Sequence, residues 1–569
     1  MLKEELFSSG KKRIAIFGFL WLLSFFIVAF GQPAWSLKIS VVSAFIGHSI
    51  FWAALFSIKG KKQKFFHGFV WFACVEAVHL SWMTATRFHG AYILFVYFGI
   101  LIWLGAQYGL FCILLRKKIS ISHCLFLAGI WTLFEYSRLF FLCGFAFNPV
   151  GLALSSYSEL STFATVFGVY GLSFIVILLN AFAYRAFTQT SKNNIAVYFG
   201  SILLLFSLGL LHNGFHKARA QSIGTKKINV ALVQTGLRPD QKIMLSSREH
   251  HFISPYDQWL GALTYIKKKQ SKDRNLDLIV FPEAAIPFGA KQYPYSLTDA
   301  CLILDMAWGQ DYKNHIPELR EPFAKQRDGD WYISNSFFAQ SLSNFYNSEV
   351  LIGLDDYDKE KKHIYNAAFH FVPRRPEKIK RYEKRKLVPL GEYLPIKSLE
   401  ALVAKYGITG FSERGKSAKV FGEKVRLSPS ICYEECFPHL MRDGKKLGAE
   451  VYVNLTNDAW YYPSKLPEQH FYHARLRAIE NGVPLLRSCN TGITAAIDSL
   501  GKTKAMLSST IYDHQNLRGA LIFSLDLYHY FTIYTFLGDY LILAVSFATV
   551  GFFAFRLKKN DFLSYIPYR

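Results

Sequence analysis

The chain reads as an α-helical membrane domain of eight transmembrane helices with a layered α/β domain held between its last two spans. Three observations predict this. The composition is 51% hydrophobic and 17% aromatic with only 19% charged residues, too apolar for a surface that faces water throughout. The apolar residues are concentrated in long runs up to about residue 212 and again at roughly 530–555. Between them, from 226 to 525, short β-branched runs alternate with polar and helical stretches, the pattern of a sheet covered by helices.

A helix needs about 20 apolar residues to cross a bilayer. Seven stretches precede the globular part, at 14–31, 39–58, 65–84, 91–115, 122–142, 161–184 and 195–212, and an eighth follows at 530–555. The first has the basic leader of a signal peptide (Lys11, Lys12, Arg13), but no small-residue cleavage site stands out and six more stretches follow. It is read as a retained helix. Basic clusters fall at Lys3/Lys11/Lys12/Arg13, "KGKKQK" (59–64), "RKK" (116–118), Arg185/Lys192 and Arg556/Lys558/Lys559, while loops such as "GQPAWS" and "TRFHG" carry few positive charges. Positive charge stays on the cytoplasmic side. Every second loop therefore agrees on one topology: both termini cytoplasmic, 1–225 a membrane domain of seven helices, 226–525 an extracytoplasmic domain, and 526–569 the eighth helix with a cytoplasmic tail.

The formal charge of +24 raises nucleic acid as a partner. The topogenic clusters and "RRPEKIKRYEKRK" (374–386) account for much of it, and such charge also suits anionic headgroups, so membrane lipid is expected and nucleic acid is not. Eight cysteines include no CxxC pair and imply no disulfide framework.

In the outer domain strands are expected at 228–234, 276–283, 349–357, 366–372, 425–434, 450–458, 492–498 and 520–525, and "PEQHFYHARLRAIENG" (467–482) reads as a helix stopped by Gly482. Three strands end in reactive polar residues: Glu283, Cys432 with Glu434, and Asn457/Asp458. "YEKRKLVPLGEYLP" (382–395) adds Lys384 and Glu392 around a Pro/Gly turn. Sites in layered α/β proteins gather outside the carboxyl ends of strands.

Cys432 alone is ambiguous, because a free cysteine is often a small buried apolar residue. Cys436 keeps that reading. His439, His470 and His473 raise a Cys/His arrangement, and "HFYH" (470–473) could face solvent or bind a metal; no third ligand is evident, so neither metal nor cofactor is expected. Glu76, His79, Glu135 and Arg138 fall in spans, where an ionisable side chain marks either an interhelical packing pair or a headgroup contact.

"FPEAAIP", "YEKRKLVPLGEYLP", "ICYEECFP", "NLTNDAWYYP" and "QHFYHARLRAIENGVPLLRSCNTGITAAIDSLGK", in this order, resemble the blocks of the apolipoprotein N-acyltransferase family. "EYSR", "CGFAFNPVGLALS" and "GVYGLSFIVILLNA" are similar to its membrane segments. The resemblance implies a nitrilase-like αββα sandwich inserted in an eight-helix membrane domain of the bacterial inner membrane. It implies a Glu283/Lys384/Cys432 triad in which Cys432 is the nucleophile, Glu283 the base and later acid, and Lys384 the cation beside the oxyanion. Glu392, Tyr433 and Glu434 match supporting positions. The implied reaction moves a fatty acyl chain from a phospholipid, through a cysteine thioester, to the α-amine of a diacylated apolipoprotein. The sequence departs from the family pattern at Ile243, where a tryptophan is usual, at Leu390, where a phenylalanine is usual, and in a longer 289–332 segment expected to be a mobile arm or lid.

Those residue types suit acyl transfer. A thiolate attacks an ester and leaves a thioester that still reacts, but a thiol needs a neighbouring base to lose its proton. Water competes at the thioester stage, so the aromatic "HFYH" and "AWYYP" segments are expected to line a lipid entrance. Two other readings use the same residues: a membrane-tethered amidase with water as acceptor, and a non-catalytic binding protein.

Overall fold

The computed structural model describes residues 10–564 except 142, 244–250, 271–274, 359, 361, 396–410, 511, 512, 514 and 516. Lys3 of the first basic cluster lies outside the described residues, as do the side chains of Lys558 and Lys559. The chain divides into two compact units, 1–219 with 532–569, and 220–531.

The first unit is helical. Five helices among the described residues are long and apolar enough to cross a membrane: Lys11–Ala29, Leu37–Leu55, Tyr92–Ile113, Ala164–Thr188 and Lys192–Ile223. Helices Lys61–His79 and Ile121–Ser137 occupy two other expected spans, and Tyr540–Ser564 occupies the last, beginning ten residues later than 530 because Gly538 ends a short helix at Ile533–Leu537. The first of these three opens on lysines, and the second has only 17 residues. Lys61–His79 and Tyr92–Ile113 pack closely because of Gly105 and Gly109: a Cβ there would stand 2.8 Å from the carbonyl oxygens of Phe69 and Phe65 respectively. Small residues spaced four apart let helix backbones approach in this way.

Glu76, His79, Glu135 and Arg138, the ionisable residues expected in spans, are tied into the packing of this unit. Glu135 accepts from the Trp131 indole at 2.9 Å and the Val150 N–H at 2.8 Å. Arg138 donates to Gln107 at 2.8 Å and lies over the Trp131 ring. His79 lies 3.8 Å from Glu76 and 3.3 Å from Gln32.

The second unit holds strands β1 (Lys227–Gln234), β2 (Leu278–Val280), β3 (Tyr295–Ser296), β4 (Ala324–Arg327), β5 (Asp330–Ile333), β6 (Glu349–Asp358), β7 (His363–Phe371) and β8 (Lys380–Glu383). They continue with β9 (Leu427–Ile431), β10 (Val451–Thr456), β11 (Leu485–Cys489), β12 (Ala495–Ile497), β13 (Thr503–Met506) and β14 (Gly519–Asp526). One sheet has the order β14-β1-β2-β6-β7-β8 and a second the order β13-β12-β11-β10-β9. Side chains alternate between layers with the period of two that a strand imposes. Val230 and Leu232 of β1 meet Val451, Val453 and Leu455 of β10 in a core between the sheets. Ala231 and Val233 point the other way, toward Trp259 and Phe338 of helices Pro255–Lys269 and Asn335–Tyr346. Behind the second sheet, Tyr452 and Leu485 pack on Phe471, Ala474 and Ala478 of helix Leu466–Asn481. The result is an αββα sandwich.

Three expectations need correction here. Segment 289–332 is not a free arm: helix Leu297–Trp308 buries Ala300, Ile303, Leu304, Ala307 and Trp308 in the main core, and a small sheet of order β3-β5-β4 backs it. The strand expected over 425–434 stops at Ile431, and 432–436 form a 3₁₀ turn. Strands β8, β11 and β13 and the small sheet were not anticipated from the sequence.

Gly353 of β6 shows how tightly the sheet is fitted to the segment after β2. A Cβ at this position would lie 2.5 Å from the Pro282 oxygen and 2.7 Å from the Glu283 Cα. Gly353→Ala is expected to cost about 1–3 kcal/mol through overpacking and to slow turnover by moving Glu283. Thermal unfolding read beside the turnover rate checks both, and an unchanged rate would mean that the strand absorbs the clash elsewhere.

Candidate active site

Each strand that carries a site residue ends just before it. β2 ends at Val280, and hydrogen bonds from Phe281 N to Leu351 O (2.8 Å) and Ala285 N to Gly353 O (2.8 Å) hold the following turn, placing Glu283. β8 ends at Glu383, and the N–H of Lys384 donates to the Asn366 carbonyl of β7 at 2.9 Å. The turn at Val388–Glu392 closes on itself: Glu392 Oε2 accepts from Val388 N at 2.7 Å, and Leu390 takes a left-handed φ of 64°. β9 ends at Ile431, and Cys432 follows with φ of 50°, a conformation L side chains seldom adopt.

The structure brings Glu283, Lys384 and Glu392 into direct contact. Lys384 Nζ donates to Glu283 Oε1 at 2.8 Å and Glu392 Oε1 at 2.9 Å, with the lysine 1% exposed. Asn366 Nδ2 donates to the same two oxygens at 2.7 and 2.8 Å. Both carboxylates are thereby held in fixed rotamers around one cation. Burial alone would lower the pKa of Lys384, but the Glu283 and Glu392 carboxylates outweigh it and hold the ammonium well above the usual lysine range. Burial, then the Glu283 charge, pushes the Cys432 thiol well above its ordinary range; Lys384 and the Asn457 N–H pull in the opposite direction. At neutral pH the resting thiol therefore keeps its proton.

Glu434 is wholly buried and accepts four hydrogen bonds. Oε2 takes Ile431 N at 2.7 Å and the Tyr382 hydroxyl at 2.8 Å; Oε1 takes Lys386 N at 3.1 Å and Arg385 N. It joins the strand end before Cys432 to the segment after Lys384. Tyr433 is half-buried, edge-on to Phe437 at 4.8 Å.

Several residues at the site were not singled out from the sequence. Asn366 sits inside an apolar strand and gives no local signal. Lys242 is buried with Nζ 3.5 Å from the Glu283 carbonyl, and burial, opposed by Glu283 and Asp355, brings its pKa down to about 8. Its neighbour Ile243 is 39% exposed. The "HFYH" segment does not line an entrance: His470, Phe471 and His473 are at most 4% exposed, on the inner face of their helix. Trp460 of "AWYYP" does reach the surface, at 38%. His439 is exposed, with its ring against Phe437. Cys432, Asp458 and His470 bring metal-ligand atom types within 4.8 Å of one another, but both His470 nitrogens face hydrogen-bonding acceptors. None of the eight cysteines, all among the described residues, is in a disulfide.

Comparison with known proteins gives two family matches. Residues 230–515 match carbon-nitrogen hydrolase, and residues 26–182 match the apolipoprotein N-acyltransferase N-terminal domain. The apolipoprotein N-acyltransferase of Chlamydia caviae is 32% identical, over 94% of this chain and 98% of its own. That of Chlamydia trachomatis is 30% identical over 95% and 97%, and that of Rickettsia prowazekii 28% identical over 68% and 67%. A solved carbon-nitrogen hydrolase from Helicobacter pylori is 15% identical, over 53% of this chain and 89% of its own, with a TM-score of 0.34. Similarity at this level along nearly the whole length, with both parts matched separately, means that the chain belongs to the apolipoprotein N-acyltransferase family.

Proposed function

We propose that this protein transfers a fatty acyl chain from a phospholipid, through a thioester on Cys432, to the α-amine of the S-diacylglyceryl-cysteine at the amino terminus of apolipoproteins. The observation that carries the reading is the carboxylate–lysine–thiol cluster at three strand ends, in a chain of this family. Glu283 takes the thiol proton, and the thiolate attacks the ester carbonyl. Lys384, with a backbone N–H near Tyr433, faces the oxyanion. Collapse expels the lysophospholipid, which takes the proton from Glu283. In the second half the acceptor amine gives a proton to Glu283 and attacks the thioester, forming the amide and returning the thiol. Each lost oxyanion donor typically costs about 100- to 1000-fold. Glu392, Tyr433 and Glu434 support the arrangement.

The wider setting belongs to the same proposal. Eight helices cross the bacterial inner membrane, 1–225 forming the membrane domain, 226–525 the periplasmic catalytic domain, and 526–569 the eighth helix and tail, with both termini cytoplasmic. The five long apolar helices and the alternation of basic loops support it.

The test is intact-protein mass spectrometry of the purified enzyme with phospholipid and no acceptor, for wild type and Cys432→Ala. The expected result is a hydroxylamine-labile fatty-acyl adduct on Cys432, absent from the variant and discharged by a diacylated lipopeptide. Rapid fatty-acid release with no adduct would instead favour an amidase-like hydrolase, and inertness of both proteins would point to a binding protein.

A further inference from the structure

Behind Cys432 lies a buried charged network. His470 is 2% exposed and sits between two carboxylates: its Nδ1 is 3.0 Å from Asp458 Oδ1 and its Nε2 is 3.1 Å from Glu435 Oε1. The same Nε2 is 3.2 Å from the carbonyl oxygen of Cys432. Every one of these partners is an acceptor, so both ring nitrogens must donate, and a ring that donates from both carries a positive charge. Arg487 closes the set, donating to Glu435 at 2.8 Å and lying 3.5 Å from Asp458. Glu435 and Arg487 have no measurable exposure and Asp458 has 3%. Two cations against two carboxylates leave the group neutral, as burial away from water requires.

The placement of His470 separates it from a general base. Nδ1 faces Asp458 and Nε2 faces Glu435 and the Cys432 carbonyl, so neither nitrogen presents a lone pair to accept the thiol proton. Its position matches what the Cys432 backbone needs. The residue holds a left-handed φ of 50° without being glycine, and such conformations persist only where the surroundings overdetermine them. His470 and Asn454, the latter at 3.3 Å, both grip the Cys432 carbonyl, while Glu434 grips the Ile431 N–H on the other side of the turn.

We propose that His470 is a positioning residue for the nucleophile: charged and clamped between Asp458 and Glu435, it holds the Cys432 carbonyl so that the thiol points at the Glu283/Lys384 pair. The inference rests on the reading of Cys432 as the acyl carrier. It converts the Cys/His pairing visible in the sequence from a proton-transfer pair into a backbone clamp.

The test is single-turnover acylation of the full-length enzyme by phospholipid, with the rate constant and the final number of acyl groups per Cys432 read separately, for wild type, His470→Gln and His470→Gln/Asp458→Asn. The double variant removes one charge of each sign and keeps the network neutral. A misaimed nucleophile slows every molecule, so His470→Gln is expected to reach the wild-type stoichiometry about 100-fold more slowly, with the phospholipid KM unchanged. A residue needed only for folding would give the opposite pattern: fewer acylated molecules, those remaining reacting at the wild-type rate, and that result would overturn the proposal. So would a wild-type rate in His470→Gln, or failure of both variants to yield folded protein. Absence of any adduct in wild type would instead sink the acyl-carrier reading itself.

Discussion

Glu283→Gln is expected to lower turnover by about 10³-fold and to leave a residual rate that climbs with pH. The amide keeps an oxygen for the hydrogen bonds now donated by Lys384 and Asn366 at 2.8 and 2.7 Å, so the side chain can stay in place while its basicity is lost. The thiol then has no internal acceptor for its proton. Burial holds the Cys432 pKa well above the ordinary range, and although the variant removes the Glu283 charge that adds to this, desolvation is the larger cause and persists. The sign follows: below a raised pKa the thiolate fraction grows tenfold per pH unit, so the residual acylation rate should rise with a log slope near one from about pH 7 to about pH 9. Wild type, with Glu283 as the proposed proton acceptor, should be much flatter over that range. Stopped acylation assays across pH measure both slopes. A variant as flat as wild type would mean that another group takes the proton, and the Lys242 amine beside the Glu283 carbonyl would be the first to examine.

What the sequence disclosed about this site follows from where the signal resides. Glu283 and Cys432 stand just beyond apolar runs, and a reactive polar residue at such a boundary is visible one segment at a time; Lys384 lies in the basic stretch "RRPEKIKRYEKRK" beside a Pro/Gly turn, and only the family resemblance sets it apart. Asn366 lies within "YNAAFHF", where a lone amide looks like ordinary strand polarity; its role appears only when β7 brings it against two carboxylates from distant segments. β11, "LLRSC", gives a weak strand signal because Arg487 interrupts a short apolar run. That arginine is wholly buried because Glu435, 52 residues earlier in the chain, pairs with it. The histidines of "HFYH" suggested a wet or lipid-facing surface for the same reason: their acceptors, Asp458 and the Cys432 turn, come from other strands. Segment 289–332 is longer than the family pattern and so reads as an added arm, yet Ala300, Ile303, Leu304 and Ala307 carry the helical spacing of a core-facing stripe. Reading that period would have placed it correctly.

Glu434→Gln is expected to do nearly as much damage as removal of the side chain, although only one oxygen changes. Each carboxylate oxygen serves two donors: Ile431 N and the Tyr382 hydroxyl on one side, Arg385 N and Lys386 N on the other. Whichever way the amide turns, its NH₂ faces groups that also donate. Tyr382 can rotate its hydroxyl and accept instead, but the Ile431 N–H cannot, so the better orientation still leaves a buried main-chain donor without a partner. An orphaned buried donor costs about 1–3 kcal/mol, and the loss of charge-assisted bonds adds to it. The expected loss of stability is therefore about 3 kcal/mol, read as a lowered unfolding midpoint. The consequence for activity comes from which segments are joined. Ile431 immediately precedes Cys432, the proposed nucleophile, and Arg385 immediately follows Lys384, the proposed oxyanion cation, so one carboxylate fixes these two chain segments against each other. Releasing it lets the thiol and the ammonium drift apart, and misplacement by about 1 Å costs on the order of 100-fold in rate. Glu434→Gln should therefore lose turnover even at temperatures where it remains folded. Full activity in the folded variant would show that the sheet alone sets the distance between Cys432 and Lys384.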